Sequence, residues 1–391
     1  MKLAFYYHIP AVQRADGIYL PSYLGVFIDS LAGFVFQLHY LFHEAGKDQD
    51  KECDYRLESK NIQFVSLGPK SPAWHRMLFH GKILKNALKS ISACDVLLVR
   101  SPTPLAPYFY KYFPSVKICF MIVGDYAESI SHMNTRHWRN KLIYEFLKRN
   151  DILFKKQISQ SHILVNSENL YQLYQGKCKA VDQIRTTTLS AKDVFIRKDT
   201  CTGPFIQLLY TGRIDPAKGM FEMIDALHQL RKLNLPVRLN IVGWETSEGI
   251  QVVSAMKEKA LQLKVSEDLI FHGRKTVGES LNEMYRMADI YIIPSYHEGF
   301  PRTIWEAMAA GLPVIATKVG GIPKQLRDRV DALLIEPRDV SAITGAVLQV
   351  MNDATLRQNL IKNGYPLAME NTLEKQNEKM IEILKTRYLN G

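Results

Sequence analysis

Two glutamates and two cations carry most of the chemistry that this sequence offers. Glu298 and Glu306 stand with seven residues between them in the segment SYHEGFPRTIWEAMAAGLPVIATKVGGIP, which runs from Ser295 to Pro323. Carboxylates accept paired hydrogen bonds from vicinal hydroxyls, so one acid suits a sugar and the other a ribose. The spacing alone arises often by chance, and its setting gives it weight. Ile290–Ile293 reads as an apolar strand and Pro294–Gly299 as the loop after it. Pro301 then opens a helix that Gly311 stops. Glu298 is expected at the strand end and Glu306 about a turn and a half into the helix. The unpaired amides near Arg302 and Thr303 make an anion site at the helix start.

The cations are Arg213 and Lys218, in YTGRIDPAKG (Tyr210–Gly219). This segment follows a strand and opens a helix near Pro216, a residue suited to a first helical turn. Gly212 permits a tight turn with close approach of a ligand. Arg offers a fork to a diphosphate and Lys a point charge. On charge alone these would be ordinary surface cations, because helix starts favour acids. Cations beside a glycine turn at a strand's carboxyl end point instead to phosphate.

The elements that must position these groups alternate regularly. After the polar segment Arg197–Pro204, short apolar runs at Phe205–Tyr210, Arg238–Val242, Leu269–Phe271, Ile290–Ile293 and Pro313–Ala316 read as strands. Helical patterns at Met220–Leu233, Ser247–Leu263 and Thr276–Met287 separate them, which predicts a parallel sheet covered on both faces. The first half repeats the plan with strands at Lys2–Tyr7, Ile62–Val65, Val96–Val99, Lys117–Val123, His162–Val165 and Gln183–Thr187. Its helices are expected at Leu24–Ala45, Ala73–Ile91 and His137–Gln160. The expected division is an acceptor-binding domain over 1–200 and a donor-binding domain over 201–369. A last helix, Thr372–Tyr388 within 370–391, should cross back to the first domain. Two open α/β units of this kind place their strand ends around a ligand cleft.

Taken together, Gly212, Arg213, Lys218 and Gly219, the run from Glu298 to Thr317, and Val319–Pro323 resemble the family-four glycosyltransferases. The match is specific from about Tyr210 to Pro323 and extends to the first half only in layout. The resemblance implies a GT-B fold of two Rossmann-like domains. It also implies transfer of a sugar from a nucleoside diphosphate to an acceptor hydroxyl with retention. On that resemblance Arg213 and Lys218 hold the donor diphosphate, Glu298 meets the transferred sugar and Glu306 the ribose. Amides at Phe300, Arg302 and Thr303 bind phosphate, Pro301 having no N–H to give. Gly273 and Arg274, after the Leu269–Phe271 strand, meet the base. Asp125, at the end of the Lys117–Val123 strand, takes the place of a polar group near the transferred sugar. Its other reading is an Asp in a loop turn. Two positions depart from the family. Lys324 follows the GGIP run where many members have Glu, so an acidic role there is absent. The first strand is followed by Gln13–Tyr19 with Gly17 alone, where many members carry two glycines. Gly17 either approaches the donor or acceptor or serves an ordinary βα turn.

Composition narrows the class. Apolar residues make up 47% of 391, enough for two packed cores. The five cysteines, Cys53, Cys94, Cys119, Cys178 and Cys201, have no Cys-x-x-Cys spacing, so reduced thiols are expected rather than zinc or disulfides. MKLAFYYHIP lacks the apolar length of a signal peptide and fits a buried strand. A resident metal or other cofactor is not expected: the cations and amides would stabilise the departing diphosphate, and Asp48-Gln-Asp50 lies in a polar, lysine-flanked stretch. A nicotinamide oxidoreductase would need Gly-x-Gly-x-x-Gly after a strand, which is missing. A sugar-nucleotide epimerase and a non-catalytic glycan binder of the same fold remain as alternatives. The net charge of +11 sits in the first half, where 27 Lys and Arg face 17 Asp and Glu, against 23 and 22 in the remainder. The basic amphipathic stretch Trp74–Lys89 and the cluster Arg136, Trp138, Arg139 and Lys141 point to an anionic membrane surface. The bland reading is two solvated helices with buried apolar faces. Nucleic acid is not expected, since no helix-turn-helix, zinc finger or RRM signature occurs. The expected partners are a nucleotide-sugar (UDP-sugar) donor and a glycan or lipid-linked acceptor. The expected place is the cytoplasm, peripheral to the inner face of the cell membrane.

Overall fold

The computed structural model of the chain describes residues 1–124, 138–245 and 251–389. It divides into two compact units, the first made of Met1–Thr186 with Leu373–Gly391 and the second of Thr187–Thr372. The division falls before the expected position at residue 200. The reason is that the segment read as a linker is bound to the second unit. The Arg197 guanidinium donates to the carbonyls of Ala288 and Arg286, both at 2.9 Å. Asp199 is held by the Arg357 fork, which brings its carboxyl down to about 2.

In the first unit, the described residues hold a nine-stranded sheet. Its strands are β1 (Lys2–Arg14), β2 (Gly17–Leu20), β3 (Gln37–Glu44), β4 (Tyr55–Arg56), β5 (Ile62–Pro69), β6 (Val96–Ser101), β7 (Lys117–Ile122), β8 (His162–Val165) and β9 (Ala180–Gln183). β5, β3, β1, β6, β7, β8 and β9 pair in parallel in that order. Side chains alternate across β1 as pleating demands. Leu3 and Phe5 enter one core with the helix Ser22–Ala32, while Ala4 and Tyr6 enter the other.

Several expectations fail here for physical reasons. The predicted helix Leu24–Ala45 is a helix ending at Ala32 followed by β3. β3 is buried on both faces, so its apolar run carries no period of two to mark it as a strand. The loop Gln13–Tyr19 is a β-hairpin rather than a βα turn, with Gly17 paired to Arg14. The predicted helix Ala73–Ile91 is three short helices, Ala73–Leu78, His80–Lys85 and Leu88–Ser92. The last strand is Ala180–Gln183 rather than Gln183–Thr187.

The helix Leu373–Tyr388 belongs to the first unit. Met380, Ile381 and Leu384 are buried in its core, each stabilising it by about 1.5–3 kcal/mol. Asn377 donates to Ser30 at 2.8 Å and the Tyr388 hydroxyl to the Ile118 carbonyl at 2.9 Å. All five cysteines are free. Burial pushes the thiols of Cys53 up to about 11 and of Cys94 and Cys119 up to about 12, leaving poor nucleophiles. No helix among the described residues is long and apolar enough to cross a membrane.

Within β1, at the carboxyl ends of β3 and β5 and on a neighbouring helix, the first unit gathers His8, His43, Lys70 and Arg76. Burial, then the neighbouring charges of Lys70 and Arg76, holds His8 at about 3; burial, then Arg76 and Lys70, does the same to His43. His43 and Arg100 also lower His8. Both folded values lie below the ordinary 6.5, so below about pH 6.5 the unfolded chain takes up protons that the folded chain refuses. Stability is therefore complete above that pH and is lost as pH falls towards 3, by about 1.4 kcal/mol per unit and per histidine. Denaturant unfolding between about pH 4 and about pH 7 should show this slope, and His43→Gln should flatten it.

In the second unit, the described residues form a six-stranded sheet in the order β12-β11-β10-β13-β14-β15, parallel throughout. The strands are β10 (Ile206–Ile214), β11 (Val237–Glu245), β12 (Leu269–Gly273), β13 (Ile290–Ile293), β14 (Val314–Thr317) and β15 (Leu333–Ile335). This is the doubly wound order, and the chain reverses direction across the sheet between β10 and β13. β15 and the helices Val340–Asn352 and Ala354–Glu370 were absent from the sequence reading.

Candidate active site

The second unit opens its ligand crevice where β10 and β13 diverge, because parallel strands on either side of a reversal send their connections to opposite faces. Arg213 lies near the end of β10, and Lys218 lies in the turn after it. That turn is a short 3-10 helix, Pro216–Lys218, rather than the start of the main helix. Asp215 caps it by accepting from the Ala217 N–H at 2.8 Å. Gly219 then takes a φ of 72°, and a side chain on it would come within 2.4 Å of the Pro294 carbonyl oxygen. The turn after β10 and the loop after β13 are thus in backbone contact, and Tyr296 N–H donates across it to Ala217 at 2.8 Å.

Glu298 stands in that second loop. Lys218 Nζ donates to its Oε1 at 2.6 Å, and the Ser295 hydroxyl donates to the same oxygen at 2.8 Å. The Lys218 and Glu298 side chains are 15% and 13% exposed, so each keeps an edge open to solvent. Lysine has three donors and needs one for this bond. The second glycine pair fixes the loop from behind: Gly321 N–H donates to the Gly299 carbonyl at 2.6 Å. Gly320, at φ 56°, lies so close that a Cβ there would sit 1.6 Å from the Glu298 carbonyl oxygen.

The helix Thr303–Ala309 begins beside this loop, with Arg302 as its unassisted N-cap. The N–H groups of Arg302 and Thr303 make no hydrogen bond among the described residues, as expected of a helix start. Phe300 stacks on Trp305 at 4.4 Å. Glu306 differs from the reading of a freely presented acid. It is 8% exposed. One oxygen accepts from the Thr188 hydroxyl and the other from the Tyr285 hydroxyl, each at 2.7 Å. Burial, then the Glu306 charge, raises the Tyr285 phenol well above its ordinary value, which keeps it a donor. Tyr285 also bonds Thr211 of β10 at 2.7 Å. Glu306 therefore presents only its remaining lone pairs to a ligand.

The expected base-contact residues lie two strands away. Gly273 closes β12 with a φ of 67°, and the Arg274 guanidinium stands 5.5 Å from the centre of the Trp244 ring. Trp244 is on β11, opposite Arg213 in the β10–β11 register, and is 48% exposed. Gly212 pairs with Gly243 one step earlier. Trp244, Ser295, Thr188 and Tyr285 escaped the sequence reading. Only Trp244 left a signal, a large aromatic directly after a glycine at a strand's end.

The structure thus brings together Arg213, Lys218, Glu298, Arg302, Thr303 and Glu306, with Gly273 and Arg274 along the same sheet edge. Gly17 belongs to the first unit's hairpin. Asp125 lies outside the described residues, as does Arg136. The side chains of Trp138 and Arg139 are likewise not described.

Residues 195–366 match the family described as glycosyl transferases group 1. A glycogen synthase of Mycobacterium tuberculosis is 29% identical over 192 residues, 49% of this chain and 45% of that protein. The chain spans less than half the length of the curated relatives it matches. Among solved structures, a sucrose-phosphate synthase from Thermosynechococcus elongatus superposes with a TM-score of 0.72 at 15% identity, covering 100% of both chains. The Anabaena HepE protein in complex with UDP-glucose gives 0.69 at 14% identity, over 99% of this chain and 100% of that one. These likenesses show the fold, which is GT-B.

Proposed function

We propose that the chain, whose residues 195–366 match the glycosyl transferases group 1 family, transfers a sugar from a nucleoside diphosphate to an acceptor hydroxyl. The observation that carries the proposal is the Lys218–Glu298 pair at 2.6 Å, set at the sheet reversal by two loops that touch through glycine. The barrier to such a transfer is charge growing on the departing diphosphate. Arg213, Lys218 and the Arg302 and Thr303 amides meet it with fixed donors. These cations take the place of a metal, so turnover should survive chelation. Glu298 meets the transferred sugar, and Glu306 the ribose through its remaining lone pairs. Retention at the anomeric carbon follows the family resemblance.

UDP is the proposed nucleotide, in line with the UDP-glucose held by the HepE neighbour. Its base is expected on the Trp244–Arg274 edge. Stacking of a base on an aromatic ring is worth about 1–3 kcal/mol. Trp244→Ala should accordingly weaken UDP binding about tenfold in calorimetry, with little effect on stability because the ring is half exposed.

The proposed setting is polysaccharide or glycolipid synthesis at the inner face of the cell membrane. Trp74, Leu78 and Phe79 are exposed on the first unit, and the exposed Lys82, Lys85 and Lys89 follow them. Apolar and cationic side chains together are what an anionic lipid surface binds. Equal partitioning onto neutral and anionic vesicles would remove this part of the proposal.

The central test is thermal-shift screening against nucleotide sugars, then NMR of the product's anomeric configuration. A stabilising nucleotide sugar whose sugar appears on an acceptor with retention supports the reading. Isomerised donor without acceptor would replace it with an epimerase.

A further inference from the structure

Lys70 and Arg76 of the first unit have no ion-pair partner among the described residues. Arg76, on the helix Ala73–Leu78, is 5% exposed. Its Nε and Nη1 are buried and bond to nothing, and the same holds for Nδ1 of His8 and of His43. Arg76 still bonds the neutral Tyr6 hydroxyl, and a buried guanidinium with no ion pair among the described residues is costly unless something else supplies the charge. Lys70 follows β5 directly and donates to the His8 carbonyl. Burial, then Arg76, brings its ammonium down to about 7. His8 lies where the β1–β3 register shifts between Tyr6 and Pro10, an irregularity of the kind that re-aims a side chain. Behind them, Thr103 and His43 bond the Tyr6 hydroxyl at 3.4 Å and 3.2 Å. Among the described residues, the groups acting on His8, Lys70, Arg76, His43 and Arg100, all disfavour its charged form.

We infer that Arg76, Lys70, His8 and His43 form a binding site for a phosphoryl group, separate from the donor site. Donors converge there from the middle of β1, the end of β3, the residue after β5 and a helix. A phosphate monoester offers three acceptor oxygens and up to two negative charges, against a carboxylate's two and one. His43 is fully buried, while His8 and Lys70 remain partly exposed, which leaves a way in. On the transferase reading given above, on which this one clause rests, the phosphoryl group is part of the acceptor.

The test is a titration of the full chain with inorganic phosphate, followed by the imidazole nitrogen signals of His8 and His43 in NMR. Saturable shifts of both signals are expected. Arg76→Met should bind phosphate at least about tenfold more weakly while melting no lower than the parent in phosphate-free buffer, because methionine fills the space without a charge. Its affinity for UDP should be unchanged. The site is overturned if phosphate leaves both signals in place, if Arg76→Met responds as the parent does, or if glucuronate shifts them and phosphate does not. Glucose 1-phosphate and vesicles bearing phosphatidic acid then separate a soluble ester from a lipid headgroup as the source. Faster transfer to a phosphorylated acceptor than to its dephosphorylated form supports the acceptor assignment, and equal rates overturn it. Failure of transfer with every nucleotide sugar would count against the transferase reading, and the phosphate titration would still decide the site.

Discussion

Lys218→Ala is expected to lower sugar transfer about 10²–10³-fold, the usual consequence of removing one fixed donor from a developing negative charge. The substitution has a second effect that must be separated from the first. Lys218 also neutralises Glu298, whose side chain is 13% exposed. Without the ammonium, Glu298 keeps only the Ser295 hydroxyl at 2.8 Å. Leaving that acid unpaired should cost about 1–3 kcal/mol of stability. The double variant Lys218→Met, Glu298→Gln removes both charges and should recover most of the stability with none of the transfer. Melting temperatures and single-turnover rates for the three proteins decide the matter. Wild-type turnover in Lys218→Ala would remove this lysine from the mechanism, and recovery of transfer in the double variant would make its role purely structural.

Gly320→Ala is expected to damage stability and transfer together. An alanine at φ 56° costs about 1–2 kcal/mol in backbone strain. Its Cβ would also meet the Glu298 carbonyl oxygen at 1.6 Å, which forces the loop to move. The combined loss should be about 3 kcal/mol, or roughly 6–12 °C in Tm for a unit of this size. Because the displaced atom belongs to Glu298 itself, the surviving folded protein should transfer poorly as well. Gly345→Ala is the control. Gly345 lies within the helix Val340–Asn352 with nothing within 4 Å of its Cβ position. Alanine there should stabilise by about 1 kcal/mol. Equal melting of Gly320→Ala and the parent would show that the GGIP segment yields easily and does not hold the loop.

Legibility differed sharply between the two units. In the second, strands β10 to β14 alternate with amphipathic helices, so period and strand run agree and the order can be read directly. In the first, β3 is buried on both faces and follows a helix after a short turn. Its pattern matches a buried helix as well as a strand, and the two merged in the reading. The hairpin at Gly17 was missed because its second strand is four residues long and its partner, β4, is two.

The sequence by itself determined which cations and acids stand at which strand ends, and that glycines lie between them. Those follow from residue type and local spacing, which the chain displays in order. Tertiary structure alone decided what those groups do to one another. It joined Lys218 to Glu298 across 80 residues, tied both oxygens of Glu306 to Thr188 and Tyr285, and set Gly320 against the loop that carries Glu298. It also gathered Arg76, Lys70, His8 and His43, none of which is adjacent to another in sequence. Each of these depends on strands paired far apart in the chain, and no local pattern encodes which distant group will arrive.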